Sequence, residues 1–112
     1  MNAPAKDDLQ IDVETFDRLR RTEPDVTVLD VREPWEREIC AIEPCLAIPL
    51  ALLPEHLDSL PRAGILIVLC HHGVRSLQAT LWLRRQDIAT AVNLDGGIDA
   101  WADRVDGTMT RY

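Results

Sequence analysis

Seven residues, "GILIVLC" (64–70), carry no polar side chain before the cysteine, and an apolar-periodic run, "VRSLQATLWLRRQ" (74–86), starts four residues after it. A stretch this short cannot cross a bilayer. It reads instead as a central strand buried on both faces, the environment that crossover helices create around a parallel sheet. The run after it reads as an amphipathic helix with Leu77, Leu81 and Trp82 on its apolar stripe. One strand–loop–helix step of this kind commits the rest of the chain to supply partners for that strand.

The remaining punctuation supplies them. A short strand is expected over 9–12 and a helix over 13–21, with Phe16 and Leu19 at helical spacing. Residues 26–31 ("VTVLDV") read as a buried strand, and 32–39 as a helix that tolerates Pro34 in its first turn. A strand over 45–50 is stopped by Pro49, and a helix over 52–60 carries Leu57 and Leu60 and ends at Pro61. Residues 90–97 give a last strand and a Gly-Gly turn (Gly96, Gly97) that brings the chain close to the edge bearing Cys70. Residues 98–105 form a closing helix and 106–112 an irregular tail. Strands alternating with helices predict an α/β domain with a mainly parallel sheet. Residues 1–8 are expected to be a flexible N-terminus and 9–112 a single domain, as a chain of 112 residues allows.

Charge and cysteine usage narrow the function classes. The net charge is -7, which argues against nucleic acid or an anionic membrane as partner. Three cysteines (Cys40, Cys45, Cys70) and an N-terminal stretch without an apolar core predict reduced thiols in a cytoplasmic protein.

Cys70 falls where a parallel strand ends and a helix begins, the place where open α/β sheets bind ligands. If "HHGV" wraps round, its backbone N–H groups point at the sulfur as an anion-binding nest. Gly73 permits the left-handed turn this needs, the helix N-terminus adds positive potential, and Arg75 adds a full charge. Cysteines in such settings have pKa values of about 3.5–7.5 rather than about 8.5. The competing reading is a packed structural thiol. The crowding of His71, His72, Gly73 and Arg75 against Cys70 favours a nucleophile. A metal site at Cys70–His71–His72 is disfavoured, since the ligands are too crowded and no second cluster completes four. No metal and no cofactor are expected.

"CHHGVRS" (70–76) resembles the active-site loop of rhodanese-like sulfurtransferases, "LDVREPWE" (29–36) their Asp-Val-Arg segment, and "NLDGGIDAW" (93–101) their Gly-Gly…Trp closing segment. "VDGTMTRY" is similar to the tails of small bacterial members and of rhodanese domains fused to adenylating enzymes. The resemblance covers about residues 9–112. It implies a three-layer domain with a mainly parallel five-stranded sheet and helices on both faces. It further implies a Cys70 persulfide formed from a donor such as thiosulfate and passed to a thiol or protein acceptor in ping-pong fashion. The cradle would be His71, His72, Gly73, Val74 and Arg75, supported at the rim by Ser76, Asp30 and Arg32. Asp30 would brace the catalytic loop, while Arg32 would line the rim or pair with Glu36.

Four residues separate Cys70 from Arg75, where related cysteine phosphatases carry five. The shorter ring favours sulfur over phosphate or arsenate chemistry. A sulfur-carrier or docking module remains the alternative. The chain departs from the family pattern at "CAIEPC" (40–45), with Ala41 and Pro44 where histidine and glycine are usual. Cys40 and Cys45 read as packing residues, as do Trp35, Trp82 and Trp101.

Overall fold

Five strands form one sheet in the order β1-β5-β4-β2-β3: β1 (Gln10–Ile11), β2 (Val26–Asp30), β3 (Leu46–Ala47), β4 (Ile65–Leu69) and β5 (Ala91–Leu94). Every pairing is parallel. The computed structural model describes residues 8–112; of the flexible segment expected over 1–8, residues 1–7 lie outside the described residues. The "ILIVL" run is the middle strand, and residues 66–69 are fully buried. Side chains alternate across it with period two. Ile65, Ile67 and Leu69 face one core, and Leu66, Val68 and Cys70 the other.

Helices cover both faces. On the first lie α1 (Val13–Thr22), through Val13, Phe16 and Leu19, and α5 (Gly97–Arg104), through Ile98 and Trp101. On the second lie α3 (Leu53–His56) and α4 (Val74–Arg85), through Leu53, Ala79 and Leu83. A further short helix, α2 (Pro34–Ile39), starts just beyond the end of β2. Asp12 caps α1, its carboxylate accepting the Thr15 N–H at 2.8 Å. Among the described residues no helix is long and apolar enough to cross a membrane.

Three local expectations are corrected. The strand expected over 45–50 pairs only at Leu46–Ala47. Beyond it, Ile48 and Leu50 still donate N–H bonds to Asp30 and Val31, while Pro49 between them has no N–H to give. The helix expected over 52–60 divides into 3-10 turns at Leu50–Leu52 and Leu57–Ser59 around α3. The buried stripe of α4 is Ser76, Ala79, Thr80 and Leu83, with Leu81 41% exposed. Two polar residues take buried positions there with partners for their hydroxyls: Ser76 lies beneath Cys70, and Thr80 donates to the Ser76 carbonyl. In the divergent segment, Ile42 packs into the core and the Glu43–Pro44 peptide is cis.

Candidate active site

Strand order puts the ends of β2 and β4 side by side, with Asp30 in register with Leu69 and the Val31 N–H bonded to the Leu69 carbonyl at 3.1 Å. Residues 30–32 and Cys70 therefore share one sheet edge. The chain turns at Gly73, whose φ of 98° is left-handed. A Cβ there would sit 3.1 Å from the Gly96 nitrogen and 3.3 Å from the Leu94 carbonyl.

The cradle forms because its carbonyls are held outward. The first N–H groups of α5 lack helical partners and take them up: Ile98 donates to the Cys70 carbonyl at 2.9 Å and Asp99 to that of His71 at 3.1 Å. The Gly73 carbonyl accepts from Leu77 N and from Asn93 Nδ2, both at 3.2 Å. N–H groups then face in. Cys70 Sγ accepts the Gly73 N–H at 3.1 Å and the Ser76 N–H at 3.4 Å, with Ser76 Oγ at 3.3 Å. Gly73 has no side chain to cap α4, and the sulfur takes an N-terminal donor in its place. The helix N-terminus and two backbone donors thus converge on an atom that is almost wholly buried.

Arg75 turns from the sulfur to Glu36 on α2, forming a two-pronged bond at 2.6 and 2.8 Å. Glu36 is itself buried and also accepts from the Tyr112 hydroxyl at 2.7 Å and the Glu33 N–H at 3.0 Å. The Arg75 guanidinium holds the Glu36 carboxyl down at about 2, against an ordinary 4.5. The Glu36 carboxylate in turn raises Arg75. Burial and the adjacent Glu36 push the Tyr112 phenol up to about 12, so it stays protonated and able to donate. Because the folded value of Glu36 is the lower one, its stabilisation is complete above 4.5 and is lost as pH falls through about 2. A Glu36→Gln protein is expected to lose that acid dependence and about 1–3 kcal/mol at neutral pH, Arg75 being left without its carboxylate. Urea unfolding between pH 2 and 7 measures both.

Arg32 is not at the rim. It is fully buried, bonded through Nε and Nη2 to Asp30 at 2.8–3.2 Å, to the Cys40 carbonyl at 2.8 Å and to the Tyr112 hydroxyl at 3.1 Å. Burial opposes its charge, but the Asp30 and Tyr112 bonds outweigh burial and raise it. Its contact with Glu36 is to the backbone carbonyl (3.3 Å), because Arg75 occupies the carboxylate. Asp30 likewise braces Arg32 and lies 3.6 Å from Arg37, in place of the loop bonds expected of it. Ser76 lies on the floor of the cradle, fully buried, rather than at the rim.

The two histidines part company. His71 stacks on Tyr112 at 3.8 Å and 8°, and its Nε2 is buried without a hydrogen-bond partner. Burial, then the neighbouring His72, lowers its pKa, so His71 is biased towards the neutral form. His72 and Val74 are exposed beside it. Cys40 and Cys45 pack at the edge of the α1/α5 core, the Cys45 thiol pushed up by burial with Arg37 3.5 Å away. Among the described residues no group of three His, Cys, Asp or Glu is placed to hold a metal ion. Three contributors escaped sequence reasoning as site residues: Glu36, Asn93 and Tyr112. Glu36 did carry a local signal, a capping box with Glu33 that predicts its backbone role but not its grip on Arg75.

Fold and loop together define an α/β domain with a cysteine cradle on the carboxyl edge of a parallel sheet. The chain belongs to the rhodanese-like domain family, whose model matches residues 12–104. It is 33% identical to a sulfurtransferase of Allochromatium vinosum, over 83% of this chain and 87% of that one. It is 35% identical to the probable adenylyltransferase/sulfurtransferase MoeZ of Mycobacterium tuberculosis, over 78% of this chain but 23% of that much longer one. A rhodanese-related protein from Thermoplasma volcanium superposes with a TM-score of 0.79 at 31% identity, covering 87% of this chain and 93% of that one.

Proposed function

We propose that residues 9–112 act as a single sulfurtransferase domain in the cytoplasm, with Cys70 as the nucleophile. The observation that carries the reading is the pair of backbone donors on Cys70 Sγ, from Gly73 and Ser76, in a ring with four residues between Cys70 and Arg75. The Cys70 thiolate attacks the outer sulfur of thiosulfate, whose S–S bond breaks as sulfite leaves with the electron pair. The Cys70–S–S⁻ so formed keeps its charge in the nest of main-chain N–H groups of residues 71–76. An acceptor thiolate, or cyanide in an assay, then attacks the outer sulfur and releases the Cys70 thiolate, a ping-pong sequence.

The exposed His72 and the partly exposed Arg75, tethered to Glu36, flank the mouth, and the buried Asp30–Arg32 pair holds the wall behind it. A nucleophile residue only 1% exposed suits a donor that presents a single sulfur atom, a small anion or an extended thiol. Incubation with thiosulfate should add one sulfur atom to the peptide carrying Cys70, removed again by cyanide with release of thiocyanate. Loading from a cysteine desulfurase but not from thiosulfate would make the domain a carrier. Turnover of phosphate esters or arsenate without sulfur loading would overturn the reading.

A further inference from the structure

Beneath Cys70 one hydroxyl proton has two claimants. Ser76 Oγ lies 3.3 Å from Cys70 Sγ and within a short hydrogen bond of Asn93 Oδ1. The orientation of Asn93 is fixed, because its Nδ2 faces the backbone carbonyl of Gly73 at 3.2 Å, which only accepts, and Gln10 Oε1 at 3.1 Å. Its Oδ1 can therefore only accept, and Ser76 is the donor facing it. All three groups are at most 1% exposed, so water does not substitute for a missing partner.

We infer that Asn93 is a positioning residue that acts through Ser76 to set the charge of Cys70. With the thiol protonated, the chain runs from Cys70 S–H to Ser76 Oγ–H to Asn93 Oδ1, and every proton has an acceptor. When the sulfur loses its proton to solvent, the Ser76 hydroxyl turns to S⁻, and the Asn93 carbonyl is left bare. Asn93 thus competes with the sulfur for a hydrogen bond that the thiolate needs. The backbone donors of Gly73 and Ser76 favour the anion throughout, while the Ser76–Asn93 bond favours the thiol. The charged and titratable groups around the sulfur are Arg75 of α4 with Glu36 of α2, His71 and His72 of the loop, the Asp30–Arg32 pair beyond β2, Asp99 of α5 and Tyr112. None of them is hydrogen-bonded to Asn93 or the Ser76 hydroxyl, and the Gly73 carbonyl, which Asn93 Nδ2 also holds, keeps its second donor, Leu77 N, when Asn93 is changed.

This deepens the proposed function, since it concerns the same sulfur, but its readout needs no sulfur donor. The rate of iodoacetamide alkylation is followed on the peptide carrying Cys70 as a function of pH. Asn93→Val frees the hydroxyl for the sulfur and should lower the alkylation midpoint by about one pH unit, the size of one hydrogen bond. Ser76→Ala removes the hydroxyl altogether and should raise it by a similar amount. Opposite shifts from two neighbours in one hydrogen bond are what a merely structural pair does not give. Shifts of the same sign, or none, overturn the inference. Should Asn93→Val fail to fold, the unaltered protein decides: the Asn93 side-chain carbonyl 13C resonance should titrate with the Cys70 midpoint, and a flat profile overturns the inference. The two opposite shifts without any sulfur loading would overturn the proposed function and leave this inference standing.

Discussion

A Cys70→Ser protein is expected to lose sulfur transfer from thiosulfate, a fall of at least about 1,000-fold, while keeping its fold. The two atoms differ little in size, a serine oxygen can accept the same Gly73 and Ser76 N–H bonds, and the loop's carbonyls are held by partners other than this side chain. The Cys70 and His71 carbonyls are held by Ile98 and Asp99, and the Gly73 carbonyl by Leu77 and Asn93. What changes is the chemistry. A serine hydroxyl is not ionised near neutral pH by two backbone donors and a helix N-terminus, and oxygen does not carry a sulfane sulfur reversibly. The expected result is wild-type thermal unfolding, no sulfur adduct and no thiocyanate. Residual transfer above about 1% would place the nucleophile elsewhere, and Cys40 and Cys45 are the other thiols in the chain.

The second large effect lies on the opposite side of the same loop. Gly97 has φ of 62°, and an added Cβ would stand 2.5 Å from both the Cys70 and His71 carbonyl oxygens. A left-handed alanine costs about 1–2 kcal/mol by itself. The clash adds about 1–3 kcal/mol, because the opposing atoms are backbone and cannot swing aside. Gly97→Ala should therefore cost about 3 kcal/mol and lower Tm by more than about 10 °C. It should also loosen Cys70, since relief of the clash breaks the Ile98 and Asp99 bonds that turn the cradle's carbonyls outward. Differential scanning calorimetry and sulfur loading read the two effects. Gly107→Ala, with nothing within 4 Å, is the control and should be silent in both.

Cradle and clamp differ in how they are encoded. The donors of the cradle are short-range: Cys70, Gly73 and Ser76 lie within a few residues where a buried strand runs into an amphipathic helix, although α5 and Asn93 hold the loop's carbonyls outward. The clamp is long-range. Arg75 meets Glu36 at a separation of 39 residues, and Tyr112 meets Glu36 at 76 and Arg32 at 80. Arg32 illustrates the consequence. Its place after a strand end is legible, and from that a rim position follows naturally. Yet Asp30, Cys40 and Tyr112 together satisfy its guanidinium, and a satisfied charge can be buried. Likewise Leu81 fits a helical stripe, but the buried positions go to Ser76, which meets the sulfur and Asn93, and to Thr80, whose hydroxyl donates to the Ser76 carbonyl.

By itself the sequence determined the alternation of strands and helices, the identity of the central strand, and the cysteine at its carboxyl end. Those follow from hydrophobic period and turn chemistry, which are local. Only the tertiary structure decided which charge Arg75 would meet, that Arg32 would be buried, and that Asn93 and Tyr112 would belong to the site. An ion pair or a shared hydroxyl proton between distant residues imposes no period on the chain, so it becomes visible only when the sheet order brings its members together.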